Sequence, residues 1–182
     1  MDESAIKHTS QLAIEWYQIE SLPDKEKHKL LHDNNHECLK QALLLEELSH
    51  TSIDDHTLDS KEAVKLDKKL DLLLGLLASV IQKQQQSTQT TQVTLGSHTL
   101  QWHQDEASGI MQADLLQVQL YIHPMSVIPL KLYGQISDIS SGMVTFDISN
   151  LLAAHQDMLE KYIFLNHRRA IAAERKPQAV SH

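Results

Sequence analysis

The apolar residues between positions 60 and 86 recur at the spacing of a coiled-coil helix. Six of them lie 3, 4, 3, 4 and 3 residues apart, an a/d pattern that holds for about three heptads. Leu72, Leu74 and Leu76 add apolar surface outside this seam, so the helix must be covered on several sides. The pattern predicts the centre of a helical bundle built from several copies of the chain, with a core helix of one monomer as the alternative. The seam consists of Ala63, Leu66, Leu70, Leu73, Leu77 and Val80.

Before this helix, the pattern predicts one strand and a first helical region. Residues 9–19 alternate apolar and polar side chains with period two, which favours a strand over a helix. Residues 24–31 and 35–50 follow a helical pattern, with Asn34 and Asn35 interrupting or capping between them. Together with the heptad helix, this region is expected to form a helical hairpin.

After the polar, glutamine-rich residues 82–92, the periodicity changes to two. Short strands are predicted from Val93 onward, at residues 115–123, 130–139 and 143–148, with a turn at 140–142. Several short strands with no helix between them suggest a small antiparallel barrel. A final helix is predicted from Leu151 to Arg175.

The expected fold class is therefore α+β, a small antiparallel β-barrel with an inserted helical hairpin and a C-terminal helix. Four segments follow from this expectation. Residues 1–22 supply the first barrel strand, 23–87 the inserted hairpin for oligomerisation, 88–150 the rest of the barrel, and 151–182 the C-terminal helix and tail.

Composition narrows the classes of function. The 182 residues carry a formal net charge of −8, which argues against general binding to nucleic acid or anionic membranes. Cys38 is the only cysteine, and the N-terminus has no apolar segment typical of a signal peptide, so we expect a cytoplasmic protein with no membrane insertion. The three arginines, Arg168, Arg169 and Arg175, all lie in the last fifteen residues.

Three segments carry a resemblance to a known family. They are LDKKLDLLLGLLASVI at 66–81, LYIHPMSVIPLKLYGQI at 120–136 and LEKYIFLNHRRAIA at 159–172. With the order of strand, hairpin, strands and helix, they resemble the atypical PilZ-domain family of cyclic di-GMP receptors, whose members can assemble as tetramers through long inserted helices. The resemblance implies bacterial second-messenger signalling, a homo-oligomer with a tetramer favoured, and cyclic di-GMP as ligand, with no other cofactor.

The ligand motifs that this resemblance implies are altered in the chain. PilZ domains that bind cyclic di-GMP carry RxxxR before the first strand, whereas residues 3–10 hold no arginine, only Lys7 and His8. Thr94, Gly96 and Thr99 stand where the family motif [D/N]xSxxG has Asp or Asn, Ser and Gly. We therefore expect the usual binding mode to be absent.

Two segments outside these motif positions also bear on ligand binding. A different binding mode through Arg168 and Arg169 of a neighbouring subunit is left open, although cations near the end of a helix also complement its dipole. Residues 138–142, DISSG, imitate the second motif, but Asp, Ser and Gly are common turn residues, so we predict a turn there.

The remaining chemistry is sparse. His28, His32 and His36 have i, i+4, i+8 spacing, which can bind zinc on an unbroken helix, but a solvated polar face is the favoured interpretation and no metal is assigned. Trp102 is expected in the barrel core or at a subunit contact. No catalytic arrangement is recognised. We predict a non-catalytic signalling protein; the alternatives are a scaffold for an unknown protein partner that does not bind the nucleotide and, more distantly, a metal-binding protein.

Overall fold

Six strands and two helices are defined in the part of the chain that the structure, a computed structural model, describes. That part comprises residues 6–48, 70, 73–75, 77, 89–104, 109–124, 126 and 128–174. The elements in chain order are β1 (His8–Gln18), α1 (Lys25–Leu48), β2 (Gln89–Leu95), β3 (Thr99–His103), β4 (Leu115–Tyr121), β5 (Leu130–Ser140), β6 (Met143–Ile148) and α2 (Ala153–Glu174).

The strands form a closed antiparallel barrel in the order β1-β2-β3-β6-β5-β4. Strand β1 closes it, because it pairs with β2 through Thr9 and Thr94 and with β4 through Ala13 and Tyr121. The period-two alternation of residues 9–19 was therefore a strand signal, as predicted. The α+β fold with an antiparallel barrel is confirmed.

Alternate side chains of each strand fill the barrel. In β4, Leu116, Val118 and Leu120 are fully buried, and the residues between them are half-buried. Trp102 of β3 lies at the centre, with ring centroids 5.9 Å from Trp16 and 6.2 Å from Phe146. Of the two expectations for Trp102, the barrel core is the one that the structure shows.

Helix α1 runs without a break through Asn34 and Asn35, so the predicted interruption there was wrong. The Asn34 side-chain amide donates to the backbone oxygen of Pro129 at 3.0 Å. Asn35 is fully buried; its amide donates to the backbone oxygen of Lys131, and its side-chain oxygen accepts from the Lys131 N–H, both at 2.8 Å. Both asparagines pair with backbone groups of Pro129 and Lys131 instead of ending the helix.

The buried face of α1 packs on the barrel and on α2. Cys38 belongs to this face, and burial raises the pKa of its thiol to about 12, so it serves as a small core residue. The apolar residues that join the three parts are Cys38, Leu39, Ala42, Leu43, Leu159, Tyr162 and Ile163.

Part of the predicted seam lies outside the described residues, namely Ala63, Leu66 and Val80. Leu70, Leu73 and Leu77 have helical backbone and expose 50%, 62% and 51% of their surface. Because residues 49–69 and most of residues 71–88 lie outside the described residues, the domain boundaries stay a prediction.

Candidate functional site

The expected ligand residues lie where the start of β1 meets the turn between β2 and β3. The Thr9 and Thr94 hydroxyls are 2.9 Å apart, and the Gly96 N–H donates to the Thr99 backbone oxygen at 2.9 Å. A Cβ on Gly96 would come within 3.1 Å of Thr99 Oγ1 and 3.8 Å of Lys7 Cγ. The barrel thus brings Lys7 together with all three predicted site residues, Thr94, Gly96 and Thr99.

The chemistry of this corner differs from that of the family motif. Threonine hydroxyls donate one hydrogen bond each, and the Thr94 hydroxyl is engaged by Thr9 across the strand pair. Arginine guanidinium groups, in contrast, both stack on bases and grip phosphates with a planar fork. Lys7 supplies a point charge in this place, so the corner can attract a phosphate without orienting a base.

A histidine from the C-terminal helix reaches the same region. Burial lowers the pKa of His8, and the nearby His167 of α2 lowers it further. His8 and His167 are therefore close enough for their charges to repel each other. The sequence showed both histidines but carried no signal that the start of β1 and the end of α2 come together, because they are far apart along the chain.

Arg169 is held against helix α1, with 28% of its side chain exposed. Its guanidinium forms an ion pair with the Glu46 carboxylate, and Nη2 also donates to the Glu46 backbone oxygen at 2.9 Å. Glu46 is buried, and His123 Nε2 lies 3.9 Å from its other carboxylate oxygen. Burial lowers the pKa of Arg169 and that of His123. The charge of Arg169 is thus neutralised within one chain.

Arg168 is the exposed member of the pair. Its guanidinium carbon lies 5.6 Å from the centroid of the Phe164 ring, whose side chain is also partly exposed. Arg168 is exposed, so this cation–π contact does not bury its charge. Of the two predicted contact residues, only Arg168 presents its charge on the surface in the described part of the chain.

The sequence that imitates the second motif is a turn, as predicted. Ser141 and Gly142 have φ of 51° and 76° between β5 and β6, a conformation typical of a tight hairpin. The Ser140 hydroxyl donates to Asp138 Oδ2 at 2.9 Å. These residues connect two strands on a different hairpin from Gly96.

The described residues include neither a preformed metal site nor a membrane-spanning helix. No group of three or more His, Cys, Asp or Glu side chains is already set to hold a metal ion there. None of the described helices is long and apolar enough to span a bilayer.

A closed antiparallel barrel of six strands with helices packed against it is a PilZ-like fold. The family described as "Atypical PilZ domain, cyclic di-GMP receptor" matches residues 40–176. The chain therefore belongs to the atypical PilZ-domain family.

A solved PilZ-domain structure has a similar fold. The structure is similar to a Xanthomonas campestris protein described as a tetrameric PilZ domain self-assembled through a helical bundle, with a TM-score of 0.66 and 19% identity over 93% of this chain and 92% of that one. The Bacillus subtilis inhibitor of motility gives a TM-score of 0.36 and 13% identity over 48% of this chain and 44% of that one, too distant to support an argument. No curated protein matches the sequence.

Proposed function

We propose that the chain is a non-catalytic, cytoplasmic bacterial signalling protein of the cyclic di-GMP pathway that assembles into a homo-oligomer through its inserted helices. The observation that carries this proposal is the family match over residues 40–176, which includes five of the six barrel strands and helix α2. The closed barrel is the part of the chain that would receive a ligand or partner, and the inserted helices would join the copies.

Exposed leucines support the assembly. Leu70, Leu73 and Leu77 follow the heptad spacing, and Leu74 beside them exposes 45% of its surface. A run of apolar side chains at i, i+3, i+4 and i+7 is the stripe by which helices associate. The occupant that we propose is the same stripe of other copies of the chain. A tetramer is favoured because the related Xanthomonas campestris protein is described as tetrameric through a helical bundle.

A ligand that bound the corner would use an altered set of donors. Lys7 lies beside Gly96, and His8 interacts with His167 of α2. Lys7 offers positive charge to a phosphate at the corner, and the exposed Arg168 offers a second positive charge on α2. We propose that cyclic di-GMP, if it is the ligand, binds through its phosphates and more weakly than a site with two arginines would allow.

One observation favours the second candidate, a scaffold that binds a protein partner and not the nucleotide. Arg169, one of the three arginines of the chain, is engaged by Glu46. A guanidinium already paired with a buried carboxylate would have to break that pair to bind an anion, which costs more than the surface contact returns. The scaffold would keep the barrel surface and α2 for its partner, with avidity supplied by the assembly.

Calorimetric titration of the tag-free full chain with cyclic di-GMP at moderate salt separates the two candidates. Saturable binding in the micromolar range or tighter is expected for the signalling receptor, and Arg168→Ala should weaken it. Lys40→Ala, which removes the same charge from an exposed position of α1, is the control. Absence of heat, together with an unchanged melting temperature at high ligand concentration, would overturn the receptor and support the scaffold.

A combined variant then tests the corner itself. Thr94→Val, Gly96→Ala and Thr99→Ala are changed together, because Thr99→Ala removes the hydroxyl nearest to the new Cβ at position 96. If the altered motif takes no part, binding is unchanged. Loss of binding in a variant that keeps its circular dichroism spectrum would show that the corner is used.

A further inference from the structure

Four histidine rings follow one another across the interface of α1 and α2. His28, His32 and His36 lie at successive i, i+4 positions of the unbroken helix α1. His155, in the first turn of α2, stands beside two of them, with ring centroids 5.4 Å from His32 and 5.9 Å from His36. The His28 ring is 5.7 Å from that of His32. We call this group the histidine cluster.

The cluster contains buried polar atoms without a protein partner. His155 exposes only 4% of its surface, and its Nδ1 has no hydrogen-bond partner. His32 Nδ1 is likewise buried and unpartnered. Buried polar atoms are nearly always paired, because they have lost their hydrogen bonds to water. Two such nitrogens on neighbouring rings are available to a ligand from outside the chain.

Two of the ring separations are close to those expected around a shared ion. An imidazole centroid lies about 3.2 Å from a zinc ion that the ring binds, so two rings at the tetrahedral angle have centroids about 5.2 Å apart. The observed 5.4 and 5.9 Å are slightly longer. Because the three side chains are not already set around a common point, their rings must turn to meet an ion. Pairs of histidines at i and i+4 on a helix are a common way to hold zinc.

An acidic residue lies beside the cluster. The Asp33 carboxylate interacts electrostatically with His32 and His155. A carboxylate next to metal-binding histidines orients the rings and balances the charge of the ion.

We propose that His32, His36 and His155 form a binding site for a divalent transition metal ion such as Zn²⁺. Imidazole donors select zinc, copper and nickel over magnesium and calcium. The ion would join the inserted helix α1 to the start of α2, with Asp33 and His28 as supporting groups. The sequence alone favoured a solvated polar face for histidines 28, 32 and 36; the fourth histidine, 119 residues after His36, changes that interpretation.

The test is a titration of the tag-free full chain, stripped of metal by a chelator, with zinc chloride in a calorimeter. We expect saturable binding of one ion per chain. His155→Asn and His36→Gln should each weaken binding by about tenfold or more, because each removes a ligand. His103→Gln is the matched control, since it removes an exposed histidine whose Nδ1 donates to the Gly142 backbone oxygen. Titration with Co²⁺ adds a visible absorption band that reports tetrahedral coordination.

A folding measurement keeps the proposal falsifiable. Because His36 is exposed, His36→Gln should fold like the natural sequence even if the buried His155→Asn does not. Zinc should raise the melting temperature of the natural sequence and of His103→Gln, but not that of His36→Gln. Absence of saturable zinc binding would overturn the proposal, as would equal binding by His36→Gln and His103→Gln.

Discussion

Leucine side chains are buried in the barrel and exposed on the heptad helix. Leu100, Leu116 and Leu132 on the strands are fully buried by other parts of the same chain. Leu73 and Leu77 on the helix expose 62% and 51% of their surface. Both sets arise from a regular apolar pattern in the sequence. Periodicity therefore shows which face of an element is apolar, whereas the three-dimensional structure shows whether the chain itself covers that face.

The largest loss of stability is expected in the barrel, from Trp102→Ala. Trp102 is fully buried between Trp16 and Phe146, so truncation leaves a cavity in the barrel. The free energy of unfolding should fall by about 3–5 kcal/mol. Urea denaturation followed by circular dichroism measures it. Ile139→Ala, at a partly exposed position of β5, is the control, and a similar loss in both variants would contradict a core role for Trp102.

A smaller effect is expected where α2 meets α1. Arg169→Ala removes one of the partners of the buried Glu46 carboxylate. We expect a loss of about 2 kcal/mol, below the value for fully buried pairs because Arg169 is partly exposed. The neighbouring Arg168→Ala should cost less than about 1 kcal/mol, since it loses only an exposed cation–π contact. Equal losses of unfolding free energy in the two variants would contradict a structural role for the Arg169–Glu46 ion pair.

The heptad face should contribute to the assembly and not to the stability of the single chain. Leu73→Gln with Leu77→Gln should change the unfolding free energy of the dissociated chain by less than about 0.5 kcal/mol, because both side chains are exposed there. The same variant should reduce the assembly to single chains in light scattering. Leu152→Gln, at an exposed leucine before α2, should leave the mass unchanged. An unchanged mass in the double variant would refute the seam.

The smallest effect on stability is expected at the start of β1, where His8 lies near His167 of α2. The pKa of His8 is lowered in the folded chain, so the unfolded chain takes up its proton first as the pH falls. Stability from His8 is therefore present at neutral pH and is lost as the pH falls through about 6.5 toward the folded pKa. The His8→Gln variant should lose less stability between neutral and mildly acidic pH. Parallel curves would show that His8 is not buried against α2.

Local pattern was enough for the barrel but not for the contacts that complete the site. Period two identified β1, β4, β5 and β6, because alternate residues on a strand face opposite sides of the sheet. The break predicted at Asn34 and Asn35 failed, since their amides bond backbone oxygens 95 and 96 residues away. The ion pair of Glu46 with Arg169 spans 123 residues. Contacts of this length leave no trace in local periodicity.

Candidate ligand positions were located only in part. Thr94, Gly96 and Thr99 could be placed by comparison with a motif, and they do share one corner with Lys7. The approach of His167 to His8, and that of His155 to His32, depends on where α2 docks. A single sequence specifies that docking through the whole packed interface and not through a short segment.

Two backbone amides at the start of β5 carry separate information about the docking of neighbouring segments. The Lys131 N–H donates to Asn35 of α1, and the Tyr133 N–H donates to Asn150, just before α2. Hydrogen exchange at such an amide proceeds only when its acceptor moves away. An opening that lifts α1 from the barrel would therefore speed exchange at Lys131 and leave Tyr133 slow. A protein partner that captures the inserted helix would be detectable at a single amide while the barrel stays intact.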